Sequence, residues 1–264
     1  MSETNGSDRN VYVKTHPGAP TGFFECEAAG LQWLKEAESS GGATVADVLE
    51  VSRTSLKLQR FEPSKPSTAK AREFGAKLAH SHGAGAAGWG AAPDTWPHKK
   101  GFFGPLDDPR EMALVAEDTF GEFWVKHRVE PCLRQLKNVY TNREFAAFDR
   151  VIERLLDGEF NTDDAPARLH GDLWWGNIIW TNDEAVLIDP AAHGGSREED
   201  LAMLTLFGNS SVTNEIIAGY ESVHPLPGRA EREGIHQLYG VLMHAVLFGG
   251  GYAQQAYSLA RRYL

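Results

Sequence analysis

One short stretch limits the folds that this chain can adopt more than any other feature. Residues 170–177 read HGDLWWGN, and the apolar strand sequence AVLID follows and ends at Asp189. Asp172 and Asn177 are five residues apart, and Asp189 comes twelve residues after Asn177. Transfer of a phosphoryl group to a hydroxyl needs such a set: one carboxylate receives the hydroxyl proton, while an amide oxygen and a second carboxylate hold Mg²⁺. The spacing therefore predicts a phosphotransferase loop, with Asn177 and Asp189 as oxygen ligands of the metal.

Each part of this stretch also has an ordinary structural explanation. An isolated HGD is compatible with a turn capped by its aspartate, Trp174 and Trp175 are compatible with core packing, and Asp189 before a proline is compatible with a strand end. The combination is harder to explain in this way. Residues 170–177 have the spacing of the protein-kinase catalytic loop H-R-D-x-x-x-x-N, with Gly171 in place of the arginine, and an apolar strand that ends in an aspartate follows them.

The composition of the chain excludes several classes of function. The net charge is −10 and no Lys/Arg cluster occurs, so we expect no nucleic-acid partner. No run approaches the roughly 20 apolar residues of a membrane span, and the polar start MSETNGSDRN is not a signal peptide. Cys26 and Cys132 are far apart and form no CxxC pair, which argues against a disulfide framework or structural zinc. We therefore expect a cytoplasmic protein that binds neither nucleic acid nor membrane.

The hydrophobic periodicity changes along the chain from a strand-rich part to a helix-rich part. The first part is predicted to contain strands at 10–16 and within 43–63 and a helix over 23–39. The second is predicted to contain a helix over 67–83, a Gly/Pro/Trp-rich loop over 84–108, helices over 111–139, 142–157 and 199–221, and a helical end with a glycine break. The division predicts an α+β fold with a small sheet lobe, 1–61, and a larger helical lobe, 62–264.

The sequence from 167 to 208 carries a narrower resemblance. HGDLWWGN followed by DPAAHGGSREEDLAM resembles the fructosamine kinase, or ketosamine-3-kinase, family, which belongs to the aminoglycoside/choline phosphotransferase group with a protein-kinase-like fold. The wider group shares only HGDxxxxN and a later aspartate. Further segments agree in order, so the resemblance covers about residues 11–255. It implies a two-lobed fold with a nucleotide-binding N-terminal lobe and a helical catalytic lobe.

The resemblance also implies roles for five residues of the predicted active site. Asp172 is expected to be the catalytic base, and Asn177 and Asp189 to hold Mg²⁺. Lys14, in the segment YVK, is expected to contact the α- and β-phosphates of ATP. Glu27, on the following helix, is expected to pair with Lys14, as kinases require.

Five more residues are expected to bind the adenine or to support the loop. The segment LQRFEP resembles the family's inter-lobe linker, so the adenine is expected against Gln59, Arg60 and Phe61, with Phe61 as an apolar wall. His170 is expected to brace the catalytic loop through a hydrogen bond. Asp200, in REEDLAM, is expected to anchor the same loop.

The expected substrate is a ketosamine, on a free amine or a glycated protein. Trp174 and His244 are the expected walls of its site, and Trp175 stands where the family usually has a small or polar residue. By resemblance, ATP and Mg²⁺ serve to phosphorylate the sugar 3-hydroxyl, which destabilises the adduct and makes the reaction a deglycation repair. The residues alone indicate no more than a small-molecule kinase.

The start of the chain departs from the family pattern. Only thirteen residues precede Lys14, and they offer at best one short hairpin, with a turn at Asn5-Gly6. We therefore expect a shortened N-terminal lobe. Three explanations are open: the sequence is truncated, the protein has a naturally minimal lobe that holds the nucleotide more openly, or it has lost catalysis and kept only binding. Two alternatives stay open: a phosphotransferase for another hydroxylated amine, such as choline or an aminoglycoside, and a catalytically impaired pseudokinase that lacks the phosphate-covering loop.

Overall fold

The computed structural model describes residues 10–208 and 210–264. The predicted turn at Asn5-Gly6 lies outside these residues. Within them, no helix is long and apolar enough to cross a bilayer.

The N-terminal part builds one small antiparallel sheet around a helix. Its elements are β1 (Val11–Thr15), α1 (Phe23–Lys35), β2 (Thr44–Val45), β3 (Val48–Ser52) and β4 (Ser55–Gln59). The strand order is β1-β4-β3, and Lys14 lies opposite Leu56. The inner face of α1 is apolar apart from the buried Glu27, so the helix carries this carboxylate into the interior.

The middle of the chain is helical, with one hairpin. Its elements are α2 (Thr68–Gly83), β5 (Lys100–Phe103), β6 (Arg110–Ala113), α3 (Phe120–Trp124), α4 (Glu130–Gln135) and α5 (Asn142–Leu156). A π-helical turn, Val125–Val129, joins α3 to α4. The Ser67 side chain accepts from the Lys70 amide at the start of α2, and Thr141 with Glu144 forms a capping box on α5.

Residues 167–195 contain the predicted catalytic residues and are here called the catalytic segment. They form four short strands, and four α-helices follow among the described residues. These are β7 (Ala167–Leu169), β8 (Ile178–Trp180), β9 (Ala185–Leu187), β10 (His193–Gly195), α6 (Arg197–Leu206), α7 (Ser211–Glu221), α8 (Arg229–Phe248) and α9 (Gly251–Ala260). Strands β8 and β9 are antiparallel, and β7 pairs with β10. The predicted glycine break in the last helical segment lies between α8 and α9.

Three element predictions need correction. The predicted helix over 111–139 begins as β6, because Arg110–Ala113 pairs with Lys100–Phe103, which the sequence analysis had placed in a loop. The predicted helix over 199–221 is two helices, since α6 ends before Gly208 and the Ser210 side chain caps α7. In each case the structure depends on a pairing strand or a capping side chain, and neither is visible in the local hydrophobic periodicity.

The two hydrophobic cores do not follow the predicted boundary at residue 61. One core unites α1 and β4 with α2, α6, α7 and catalytic-segment residues such as Leu173. The other joins hairpin β5–β6 to α3, α4, α5, α8 and α9. Strand β2 also pairs in parallel with β9. The N-terminal sheet is therefore packed directly against the catalytic segment, and the division into 1–61 and 62–264 stays a prediction.

Candidate active site

A cavity of about 850 Å³ opens between β1 and α1 on one side and the loops after β7 and β9 on the other. Hairpin β5–β6 and the C-terminal ends of α6 and α8 complete its wall. The predicted site residues that line it are Lys14, Glu27, Asp172, Trp174, Trp175, Asn177, Asp189 and His244. Residues spread over most of the sequence thus meet in one concave site of small-molecule size.

Lys14 on β1 contacts two carboxylates. Its Nζ lies 2.7 Å from Glu27 Oε1 and 2.6 Å from Asp189 Oδ1. Burial favours the neutral amine, but the two carboxylates outweigh it and raise the pKa of Lys14. Burial also raises the pKa of Glu27, against the opposing effect of the Lys14 charge. Lys14, predicted at the phosphates, therefore contacts both its predicted partner Glu27 and the predicted metal ligand Asp189.

Asp172 lies on the cavity wall, in the loop after β7. Asn177 follows one helical turn later, and its Nδ2 donates to Asp172 Oδ2 at 3.1 Å and to the Asp172 carbonyl at 2.8 Å. Burial raises the pKa of Asp172 to about 7, and the hydrogen bond from Asn177 opposes the rise. Asp172 is thus a carboxyl that exchanges a proton near neutral pH.

The residues predicted to bind Mg²⁺ offer two oxygen atoms. Asn177 Nδ2 also lies 3.4 Å from the Asp189 carbonyl oxygen, so all three neighbours of this nitrogen are hydrogen-bond acceptors. Asn177 Oδ1 accepts no hydrogen bond from the described residues. Asp189 Oδ1 is buried and completes no hydrogen bond there, although Lys14 Nζ lies near it. The backbone angle φ of Asp189 is 56°. Among the described residues, 10–208 and 210–264, no other non-glycine residue has a positive φ.

This donor set fits Mg²⁺, which prefers hard oxygen ligands and usually takes one or two from the protein. The described part of the chain contains no group of three or more His, Cys, Asp or Glu side chains placed to hold a metal ion. A Mg²⁺ ion at Asn177 and Asp189 would therefore need phosphate or water oxygens to complete its coordination shell.

His170 and Asp200 form hydrogen bonds to the backbone of the predicted catalytic loop. Asp200 Oδ2 accepts from the His170 amide at 2.8 Å, and its Oδ1 accepts from the Gly171 amide at 2.9 Å. His170 Nε2 donates to the Ile188 carbonyl at 2.8 Å, which leaves Nδ1 to accept from the Asp172 amide at 3.2 Å. Burial lowers the pKa of His170, so the ring is held neutral. These bonds fix the backbone on both sides of Gly171.

His82 also belongs to this network, although the sequence did not indicate it. His82 Nε2 lies 3.0 Å from Asp200 Oδ2, and its Nδ1 lies 2.8 Å from the hydroxyl of Tyr220. Burial raises the pKa of Asp200, but the bond from His82 and the backbone donors outweigh it and lower the value. The only local signal was the position of His82 near the end of α2, which gave no indication of a partner at residue 200.

Gln59, Arg60 and Phe61 are not brought to the cavity wall. The Gln59 amide donates to the Asp47 carbonyl at 2.9 Å, and the Arg60 amide donates to the Asn10 carbonyl at 2.9 Å. None of the three side chains lines the cavity described above. Their contact with an adenine therefore stays a prediction.

The predicted acceptor walls do line the cavity. Trp174 is 42% exposed, and Trp175 is partly buried beside it. His244 lies on α8, and the centroid of its ring is 5.3 Å from that of Phe207 and 5.6 Å from that of Phe248. Neither phenylalanine was predicted as a site residue, because no motif marks the ends of α6 and α8.

Comparisons with known proteins identify chains that are similar to this one. The sequence model of a family described as fructosamine kinase matches residues 2–264. A "probable ketoamine kinase" of Vibrio parahaemolyticus is 32% identical over 256 residues, which cover 96% of this chain and 84% of that protein. The crystal structure of a "putative fructosamine-3-kinase" from Thermobifida fusca has a TM-score of 0.84 and 37% identity over 96% of this chain and 85% of that one.

A more distant likeness concerns the fold alone. An ADP-bound aminoglycoside phosphotransferase aligns with a TM-score of 0.63 and 10% identity, over 97% of this chain and 89% of that one. The predicted α+β, protein-kinase-like fold is thereby confirmed.

Proposed function

The chain belongs to the fructosamine kinase family, and from that membership we propose that it transfers the terminal phosphoryl group of ATP, with Mg²⁺, to the 3-hydroxyl of a ketosamine. Membership makes the protein a phosphotransferase; the donor, the metal, the hydroxyl and the biological purpose belong to the proposal. The observation that carries it is the Asp172 carboxyl, which has a pKa of about 7 and lies in the same cavity as the Lys14 contact with Glu27 and Asp189.

In the proposed reaction Asp172 orients the attacking hydroxyl and receives its proton. A base with a pKa near the working pH combines a useful ionised fraction with a useful affinity for the proton. The hydrogen bond from Asn177 Nδ2 aims the carboxylate, while Asp200 holds the His170 and Gly171 amides that precede it. The base is therefore positioned before the substrate binds.

Lys14, Asn177 and Asp189 would bind the phosphate side of the reaction. Lys14 is kept charged by its two carboxylate neighbours, so it presents a cation to the phosphates at any physiological pH. Asn177 and Asp189 would hold Mg²⁺, which when bound neutralises phosphate charge. Glu27 fixes the direction of the Lys14 side chain.

Neither alternative from the sequence is favoured. A pseudokinase need not keep its base, its metal ligands and its lysine–glutamate pair in contact distance, as these are. A choline or aminoglycoside substrate is supported only by a likeness in fold to distant phosphotransferases.

The test is ADP release with ribulosyl-lysine and fructosyl-lysine as acceptors. We expect ADP formation that requires both ketosamine and Mg²⁺, and a loss of about 10²-fold or more in kcat for Asp172→Asn. Asp183→Asn is the matched control, because Asp183 lies in the exposed turn between β8 and β9. No ADP release with either acceptor, or equal rates for Asp172→Asn and the parent, would reject the proposal.

Deglycation is measured in the same reaction mixture. A phosphate on the 3-oxygen is a leaving group, and its elimination followed by hydrolysis of the remaining imine frees the amine. We expect free lysine and inorganic phosphate to appear after ADP, in amounts equal to it. A stable phosphorylated adduct would keep the kinase assignment and remove the repair role.

A further inference from the structure

Six exposed large apolar side chains of the described residues line the cavity: Tyr12, Val13, Leu106, Trp174, Phe207 and Phe248. Three of them, Leu106 in hairpin β5–β6 and Phe207 and Phe248 at the ends of α6 and α8, are here called the apolar rim. Their exposed fractions are 36%, 49% and 61%. Single exposed apolar residues are ordinary, but several around one cavity mark a surface that binds an apolar group. The rim thus extends the candidate active site toward solvent.

The two aromatic members of the rim are carried by helices. Phe248 is the last residue of α8, and Phe207 follows the last residue of α6. The His244 ring contacts both of these rings, and its Nδ1 donates to the Gly240 carbonyl at 2.7 Å. Since a carbonyl only accepts, this bond leaves Nε2 of the neutral ring as an acceptor, and no described residue donates to it.

The charged side chains of the cavity lie elsewhere on its wall. Those among the described lining residues are Lys14, Glu27, Asp172 and Asp189. Lys14, Glu27 and Asp189 form one contact group, and Asp172 joins it through Asn177. The apolar rim contributes no charge, so it offers nothing to the phosphates and nothing to a charged amino-acid side chain.

The substrate geometry brings the amine close to this rim. In a ketosamine the amine nitrogen is on C1, two carbon atoms from the 3-hydroxyl that must meet Asp172. The group carried by this nitrogen therefore leaves the site near the base, and the β1 and α1 side is taken by Lys14 and Glu27. The wall that remains is formed by hairpin β5–β6, by Trp174 and Trp175, and by the ends of α6 and α8, and it contains all three residues of the apolar rim.

Resting on the proposed function, we propose that the apolar rim binds the group carried by the amine nitrogen, and that this kinase selects ketosamines of amines with an aromatic or large aliphatic substituent. His244 Nε2 accepts the N–H of the amine, and Phe207 and Phe248 enclose the substituent. The same chemistry occurs in a free amine and at the N-terminus of a peptide that begins with an apolar residue.

The test compares kcat/KM for the ribulosyl adducts of phenylalaninamide, of glycinamide and of the peptide Phe-Gly-Gly. A group that fills an apolar site changes kcat/KM by about tenfold or more, so we expect the phenylalaninamide adduct to exceed the glycinamide adduct by about tenfold, through KM. The double variant Phe207→Ala/Phe248→Ala should reduce this ratio to within about twofold, because the phenylalaninamide adduct loses the apolar contact that the glycinamide adduct never makes. Leu156→Ala, which shortens an exposed apolar side chain on α5, should keep the parent ratio.

The outcomes separate this inference from the function on which it rests. Phosphorylation of the two amide adducts with equal kcat/KM, or an unchanged ratio in a double variant that keeps its thermal stability, overturns the inference alone. Phosphorylation of none of the adducts overturns the proposed function together with it. If phenylalaninamide is preferred, the Phe-Gly-Gly adduct distinguishes the sources: a similar kcat/KM assigns the rim to peptide ends, and a much lower one to free amines.

Discussion

Among single residues, Asp172 is the one whose protonated form favours stability while its ionised form is needed for the proposed reaction. Burial raises the pKa of its carboxyl from the ordinary 3.8 to about 7. The folded state therefore holds the proton more tightly than the unfolded chain, and this contribution to stability is complete below about pH 4. It is lost as the pH rises through about 7, where the ionised base is the form that the proposed reaction needs.

Asp172→Asn is accordingly expected to stabilise the protein at alkaline pH while it abolishes activity. At pH 8 the gain in the free energy of unfolding is up to about 4 kcal/mol, because the amide carries no charge to bury. At pH 4 the parent carboxyl is protonated in the folded state, and the difference should vanish. Urea unfolding of both proteins at the two pH values measures this, with Asp183→Asn as the control. An equal effect at both pH values would show that the substitution acts through packing.

The same carboxyl is expected to set the pH dependence of the reaction. We expect kcat/KM for the ketosamine to fall about tenfold for each pH unit below about 7, since only the ionised Asp172 accepts a proton. Initial rates at constant ionic strength between pH 5.5 and 8.5 measure it. A flat profile through pH 7 would contradict Asp172 as the base.

Lys14 is expected to matter for folding as well as for phosphate binding. Lys14→Met removes the one cation beside two carboxylates, of which Glu27 is buried, and should destabilise the protein by about 3 kcal/mol. Glu27→Gln added to Lys14→Met should recover part of this loss, because it removes the unpaired buried charge. Thermal unfolding of the parent, the two single variants and the double variant provides the cycle. If the second substitution only adds to the damage, the pair does not stabilise through charge.

The contacts among Asp172, Asn177 and Asp189 follow from the sequence for a physical reason. Asp172 and Asn177 are close in the chain, and Asp189 ends the next strand pair, so their spacing largely dictates their contact. The His82 bond to Asp200 and the apolar rim have no such signal, because their members come together only through packing of distant helices.

At the scale of elements, the contact between α2 and α7 positions the catalytic loop. Helix α2 carries His82, which bonds to Asp200, and α7 carries Tyr220, which bonds to the other nitrogen of His82. The two helices approach closely through glycines: a Cβ on Gly75 would lie 1.9 Å from the Ile216 carbonyl oxygen. The distance between α2 and α7 therefore sets the position of His82, and through it the position of the Asp200 carboxylate that holds the loop.

Gly75→Ala is expected to force these helices apart. Overpacking of this kind costs about 1–3 kcal/mol or more, and the shift of His82 should also lower kcat. Gly251→Ala is the control, because a Cβ there meets nothing within 4 Å. Thermal unfolding and steady-state kinetics of both variants test the expectation. Parent-like stability and kcat for Gly75→Ala would show that the helix pair tolerates separation.

The sequence predicts an element when its own hydrophobic periodicity determines the structure. It does not predict an element that depends on pairing with another part of the chain. Helices α2 and α5 have apolar faces and side-chain caps, so the sequence predicts both. Strands β5 and β6 stabilise each other across an intervening turn, and neither is distinct alone. The gap between α6 and α7 depends on the Ser210 cap, which the helical apolar period conceals.

In the whole molecule, the N-terminal sheet and the catalytic segment are joined at several points. Arg168 on β7 donates to the Trp33 carbonyl and, at 2.8 Å, to Glu36 Oε2, while its guanidinium lies 4.4 Å from the centroid of the Trp33 ring. The Ala46 amide donates to the Leu187 carbonyl at 3.0 Å, next to the pairing of β2 with β9. Because one core also runs across this junction, the two parts should unfold together.

Nucleotide binding should therefore stabilise the whole described fold and not one part of it. With Mg²⁺ and a non-hydrolysable ATP analogue at 100 times the Kd, the free energy of unfolding should rise by about 2.7 kcal/mol, and the single thermal transition should move upward without splitting. In Asp189→Asn the part of this shift that depends on Mg²⁺ should disappear, because one of the two proposed oxygen ligands has lost its charge. In Asp183→Asn the shift should match that of the parent. Two transitions, of which only one responds to the analogue, would show that the N-terminal sheet and the catalytic segment unfold as separate units.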